Sequence, residues 1–303
     1  MMNHEKTYKE ILAFLWKWKV STTAALSARF FANLVPHSAY KRLRYLEKLG
    51  LIQSGNERYL RKVTWTLTAD GFKSIVHYLP ALKEQGYKSE YIHHDSIVSA
   101  IHIGDVLINP NTGLQLLSEQ QLRRYHADSL PDWAPKSKLH RPDGYWFRPN
   151  ERAEPLLVAL EVELSTKVSD AYQSIARFYA RNQNIGHIVW VCDNKSFAKR
   201  LLENLKAGEP LAGKTHSVFI LCDIEAHGWA ATAKIGAQNG KSLRDLLGCE
   251  PILRPEENLG KSVGNWWEAF PVSLLLDFHK SQTNFVHYAA WLKSRKLQQY
   301  THK

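Results

Sequence analysis

The stretch AYKRLRYLEKLGLI, Ala39 to Ile52, carries two messages at once. Ala39, Leu43 and Leu46 recur at helical spacing and form one apolar stripe, while Lys41, Arg44, Tyr45 and Lys48 fall on the other side. Pro36-His37-Ser38 opens this helix, which is predicted to run to about Leu49. Gly50 is a natural stop, and Leu51-Ile52 begins a strand. A helix with a packed side and a cationic side, followed at once by a strand, sits on a core and turns its basic face outward.

The neighbouring segments complete a module. Tyr8, Ile11, Leu12 and Leu15 space out a first helix, and Ser21-Thr22-Thr23 offers N-caps for a second carrying Leu26 and Phe30. Ser54-Gly55-Asn56 reads as a turn. Beyond it Arg61-Lys62-Val63-Thr64-Trp65-Thr66-Leu67 alternates, with Val63, Trp65 and Leu67 facing inward, and Thr68 caps a fourth helix from Asp70 to Tyr78. This order of helix, helix, basic helix, hairpin and helix resembles a winged helix-turn-helix domain over about residues 5–80. The stretches AYKRLRYLEKLGLI and WTLTADGF are similar to that family's third helix and wing. The resemblance implies that the third helix enters the major groove of duplex DNA, with Lys41, Arg44 and Lys48 near phosphates or base edges. Arg58, Arg61 and Lys62 on the hairpin would touch the flanking backbone.

Charge points the same way. The 303 residues hold 40 Lys and Arg against 29 Asp and Glu, a formal net charge of +11. Residues 1–75 alone hold 13 basic and 5 acidic residues, so +8 of that surplus sits in the first quarter. A basic module on a nearly balanced body favours a polyanionic partner. An apolar share of 44% and a charged share of 23% exclude a disordered or fibrous chain. No apolar run is long enough for a membrane span, and no signal-peptide core is seen. Cys192, Cys222 and Cys249 are odd in number and widely spaced, which fits reduced core thiols in the cytosol.

From about residue 81 the pattern changes. After a polar connector over 80–91 come a helix from about His94 to Leu107, a strand over Leu114–Leu117 ending near Glu119, and a loop over 127–138. Then come HRPDGYWF (140–147), a turn at Arg148-Pro149-Asn150, a strand from Leu156 to Leu164, and a helix from Ser169 to Asn182 with Ile175, Phe178 and Tyr179 inward. A strand over 187–192, a helix over 197–206 and a strand over 218–222 follow. The order αβββαβαβ implies an α/β sandwich around one mixed sheet over residues 81–250, with a helical extension over 251–303. Gly236 to Ser242 looks like a phosphate-binding loop but has one residue too few between its glycines, and reads better as a loop whose Ser242 caps a short helix through Leu247.

Two adjacent strands carry the candidate chemistry. Asp143 begins one, and Glu161-Val162-Glu163 closes the next, with both glutamates on the same face. Converging carboxylates repel unless a cation joins them, so a magnesium or manganese ion held by Asp143 and Glu161, with Glu119 as a further acid from the first strand, would satisfy the cluster. Such an ion would activate water against a phosphodiester. The arrangement resembles the PD-(D/E)xK, restriction-endonuclease-like nuclease fold on Pro142, Asp143, Glu161 and Glu163. The family pattern has a lysine where this chain has Glu163, and Lys167 just downstream would supply that charge from a shifted position. Asp143, Glu161, Glu163 and Lys167 are thus the implied catalytic set.

The pairing of a winged helix with RPDGYW, LEVELSTK and YARN is similar to the replication-relaxation family of plasmids and conjugative elements, over most of residues 5–250. It implies a cytoplasmic DNA-binding protein acting in plasmid replication, relaxation or mobilisation beside other DNA-processing proteins, with a metal-dependent DNA nuclease as the activity its second domain would carry. The alternative is a non-enzymatic accessory protein or transcriptional regulator whose nuclease-like domain has lost its chemistry.

Overall fold

The computed structural model describes residues 2–31, 36–56, 63–107, 112–137, 139–149, 155–208 and 215–249. The fold is mixed α+β, with two separate sheets. The described residues group into two compact units, 2–78 with 87–96, and 79–86 with 97–249. Residues 250–303, with Trp266-Trp267 and the helices expected over 272–280 and 285–297, lie outside the described residues, as do Arg58, Arg61 and Lys62.

The first unit runs α1 (Met2–Trp18), β1 (Val20–Thr22), α2 (Thr23–Phe30), α3 (Pro36–Lys48), β2 (Ile52–Asn56), β3 (Val63–Leu67) and α4 (Ala69–Ile75). Its antiparallel sheet has the order β1-β3-β2. Thr22 caps α2 by accepting from Ala25 N, and Thr68 caps α4 by accepting from Gly71 N. Each cap satisfies an amide that has no partner within its helix. Ile11, Leu15, Leu26, Leu43, Leu46 and Trp65 are fully buried, and the Trp65 indole N–H donates to Thr23 Oγ1 at 2.8 Å. The expected turn at Ser54-Gly55-Asn56 is instead strand, since these residues pair with Trp65, Thr64 and Val63. A Cβ at Gly55 would meet Thr64 Oγ1 at 3.2 Å, so a larger residue there would need that side chain to give by a few tenths of an ångström. Three small polar residues look like a turn, yet cross-strand pairing overrides that local preference.

In the second unit α5 (Ile92–Ile103), which begins in the first unit, leads to β4 (Gln115–Ser118), α6 (Glu119–Arg124), β5 (Gly144–Arg148), β6 (Leu156–Glu163), α7 (Ser169–Arg181) and β7 (His187–Cys192). Then come α8 (Lys195–Gly208), β8 (Thr215–Ile220), α9 (Leu221–His227), β9 (Ile235–Gly236) and α10 (Leu243–Leu247). The sheet follows chain order from β4 to β9. β4, β5 and β6 form an antiparallel meander, β6, β7 and β8 are parallel, and β9 returns antiparallel. The parallel links need crossovers, and α7 and α8 supply them. β6 and β7 lie in the middle of the sheet, so apart from Leu156 all their residues are buried. The Trp146 and Trp229 indoles donate to His102 O and Ile101 O, which ties the sheet and the 3₁₀ turn at 228–230 to α5.

Several expected boundaries move. α5 ends at Ile103 and continues as a 3₁₀ turn to Leu107. The last parallel strand ends at Ile220, so Cys222 lies on α9 and is exposed, while Cys192 and Cys249 are buried free thiols. Glu119 is not on a strand: β4 stops at Ser118, whose capping box with Gln121 starts α6. Ser242 caps α10 through a box with Asp245.

Candidate functional site

The cluster on β5 and β6 is built by register. The antiparallel ladder ends where Gly144 pairs with Leu160, so Asp143, just before β5, lies beside the Leu160–Val162 stretch of β6. Asp143 is fixed twice: its N–H donates to Leu160 O at 3.0 Å, and its Oδ2 accepts from Val162 N at 2.7 Å. Glu161 and Glu163, two apart, lie on one face and are only 5% and 3% exposed. Ionised carboxylates buried this deeply must find donors.

They find them in residues from both sides. His140 Nε2 lies 2.5 Å from Glu161 Oε1, and the Tyr179 hydroxyl from α7 donates to the same oxygen. The Lys167 ammonium reaches Glu163 Oε2, and its backbone N–H donates to the Tyr172 hydroxyl at 3.0 Å, which pins the loop between β6 and α7. Asp143, Glu161, Glu163 and Lys167 are thus brought together. Glu119 is linked to them through its backbone, since its N–H donates to Asp143 O at 3.1 Å. His140 and Tyr179 were not among the residues singled out from sequence. His140 sits three positions before Asp143, and Tyr179 was read as core, so only the fold shows that both converge on Glu161.

The electrostatics follow from burial and charge. Burial pushes the His140 imidazole pKa down, but the charge and hydrogen bond of Glu161 outweigh it and the net shift is upward. Burial likewise opposes the Lys167 ammonium, and the hydrogen bond and charge of Glu163, helped by Glu161 and Asp143, raise it. Tyr179 is held well above the usual phenol range by burial and then by Glu161, so it remains a donor. Cys192, opposite Glu163 in register, is pushed up to about 12 by burial and the Glu163 charge, which keeps it a thiol. The cluster sets three carboxylates against one ammonium and one imidazole, with the Tyr179 hydroxyl and the Val162 amide as neutral donors.

A pH effect follows. A histidine whose folded pKa is raised contributes stability that is fully present below its unfolded pKa, about 6.5, and is lost as pH rises through the folded value. His140→Ala should therefore destabilise the second unit more at pH 5.5 than at pH 8.5. The expected difference is about 1 kcal/mol, or about 2–4 °C in melting temperature. Thermal melts at the two pH values check it; equal losses would mean that the His140–Glu161 contact carries no net charge interaction.

On the first unit, α3 presents Lys41, Arg44 and Lys48 as one exposed ridge at spacings of three and four, backed by Ala39, Leu43 and Leu46 at 0% exposure. Arg44 also pairs with Glu47, which accepts from the N–H and hydroxyl of Ser54 at 2.8 and 2.6 Å and so braces α3 against β2. Exposed Tyr45 lies beside Tyr8, ring centroids 6.2 Å apart. No described helix is long and apolar enough to cross a membrane. Among the described residues no group of three or more His, Cys, Asp or Glu is arranged to hold a metal ion. Compared with known proteins, the chain matches no family model, no curated protein and no solved structure.

Proposed function

We propose that this chain is a cytoplasmic DNA-binding accessory protein of a mobile element, acting in plasmid replication, relaxation or mobilisation as the replication-relaxation family does. In this reading a winged-helix reader is joined to a nuclease-like unit of the PD-(D/E)xK type. The basic ridge on α3, set on a fully buried apolar stripe, supports contact with duplex DNA. The mixed sheet in chain order, with an antiparallel meander leading into parallel strands, supports the nuclease-like unit.

The observation that carries the accessory reading is how the carboxylates are satisfied. Mg2+ or Mn2+ is the group that this donor chemistry would suit. As arranged, the residues do not fit it. Glu161 Oε1 already accepts from His140 and Tyr179, Asp143 Oδ2 accepts from the Val162 amide, and Glu163 is paired with Lys167. The repulsion that would call for an ion is relieved by the protein's own donors. No catalytic step is therefore derived through a metal.

One observation favours cutting instead. Lys167 brings an ammonium to the carboxylates from the loop after β6, although the strand position of the family's lysine is Glu163. Melting the protein with and without Mg2+ or Mn2+, alongside incubation with supercoiled plasmid, separates the two. The accessory reading expects a metal-induced shift below about 1 °C and intact plasmid. A rise of several degrees that disappears in Asp143→Asn, together with nicked plasmid, would transfer the conclusion to a metal-dependent nuclease, because an ion that binds only the folded state must stabilise it.

A further inference from the structure

The three cations of the α3 ridge are not held alike. Among the described residues neither Lys41 nor Lys48 has an ion-pair partner, and both are exposed. Arg44 is held at one end. Its Nη1 donates to Glu47 Oε2, one turn along the same helix, and lies 3.4 Å from the Ser54 hydroxyl on β2. Glu47 is itself fixed: its Oε1 accepts from the Ser54 amide at 2.8 Å and from the Ser54 hydroxyl at 2.6 Å. Burial opposes the Glu47 charge, but the two Ser54 donors and the Arg44 guanidinium outweigh burial and hold the carboxyl below its usual range. Ser54 in turn pairs with Trp65, whose side chain is fully buried. Arg44 is thus tied through Glu47 to the core of the first unit.

Fixing one end of a guanidinium defines the rest of it. Its five N–H donors form a planar fork, and Nε and Nη2 share the edge that Glu47 does not occupy. Neither has a partner among the described residues, and the side chain is 53% exposed. A fork whose plane is set before binding loses less freedom when it forms two parallel bonds. Lysine ammoniums on free stems suit phosphates, where charge alone is read. Glu47 offsets the charge of Arg44, which disfavours an anion there but leaves the donor geometry intact. The target that fits is therefore an uncharged group with two acceptors in one plane. In the major groove guanine offers O6 and N7, whereas adenine sets a donor beside its N7 and cytosine presents a donor.

We propose that Arg44 reads a guanine edge in the major groove through Nε and Nη2, with Glu47 as its positioning residue, while Lys41 and Lys48 hold phosphates. This rests on the DNA-binding reading and adds a base requirement to it.

The test selects binding sites for the full chain from a random duplex library. The selected duplex is then compared with copies that carry 7-deazaguanine, which pairs normally but lacks N7, at single positions. Wild type should select sites with a required guanine and bind the copy modified there about tenfold more weakly, a difference of about 1.4 kcal/mol. Arg44→Ala should bind the two copies equally and lose the guanine on reselection. Glu47→Gln keeps an acceptor for the Ser54 amide but removes the charge that holds Arg44. It should lose most of the sensitivity to 7-deazaguanine and bind unrelated duplex more tightly. Its salt slope should steepen by up to about 0.9, as the freed guanidinium takes a phosphate. A glutamate that only braced the fold would instead weaken every duplex alike and lower the melting temperature, and that result overturns its positioning role, as does full sensitivity retained in Glu47→Gln. Wild-type indifference to 7-deazaguanine at every selected guanine, or a sensitivity that survives Arg44→Ala, overturns the guanine contact but leaves DNA binding standing. No binding to any duplex overturns the DNA-binding reading itself.

Discussion

Replacing Lys41, Arg44 and Lys48 together by alanine is expected to weaken binding to paired duplex DNA by up to about 100-fold at about 0.15 M salt. Each lost phosphate contact should remove about 0.9 from the slope of log affinity against log salt, so the triple variant should lose two to three units. Arg44 should contribute least, because part of its charge is already committed to Glu47. The fold should tolerate the change: all three side chains are exposed, and exposed substitutions usually cost within about 0.5 kcal/mol. Gel shifts or anisotropy at several salt concentrations, with a melting curve as control, decide the matter. An unchanged slope would take the ridge out of the DNA interface.

Lys167→Ala is expected to destabilise the second unit by about 2 kcal/mol. Glu163 is 3% exposed, and removing its cation leaves a buried carboxylate short of a partner. Breaking a fully buried pair costs about 3–5 kcal/mol; here the cost is discounted because the Lys167 side chain is 44% exposed and water can replace part of the contact. Adding Glu163→Gln to Lys167→Ala should recover most of the loss, since it removes the charge at nearly constant volume. The coupling measured by this cycle is the pair itself. The Lys167 pKa is raised, so its contribution is present at every pH below its unfolded value near 10.4 and is lost only above the folded one. The cycle should therefore read the same at pH 7 and pH 9. A neutral Lys167→Ala would mean that Glu163 does not depend on the ammonium, and the case for a relocated lysine would go with it.

Much of the first unit was legible because its signals are local. The stripe of Ala39, Leu43 and Leu46, the caps at Thr22 and Thr68, and the stop at Gly50, whose φ is +73°, are each set within a turn or two of chain. Helical period, capping chemistry and glycine's freedom at positive φ act over that range. Ser54-Gly55-Asn56 misread for the opposite reason: its partner lies on β3, about ten residues away, and the ladder outweighs the turn preference of three small residues.

In the second unit the sequence by itself determined the main strands and the crossover helices, though not α6, α9 or β9, and that Glu161 and Glu163 share a face, because alternation on a strand is a property of the backbone. It also placed Asp143 at the start of the neighbouring strand. Only the tertiary structure decided what those carboxylates meet. Glu119 left the strand because Ser118 and Gln121 close a capping box there, so a residue counted as a ligand became the first turn of a helix. His140 and Tyr179 reached one oxygen of Glu161 from a loop and from a helix lying 39 positions apart in sequence. No periodicity encodes such a meeting. It depends on which rung of the ladder each strand occupies and on where the crossover helix comes to rest, and both are set by burying the apolar faces of the whole unit rather than by any short run of residues.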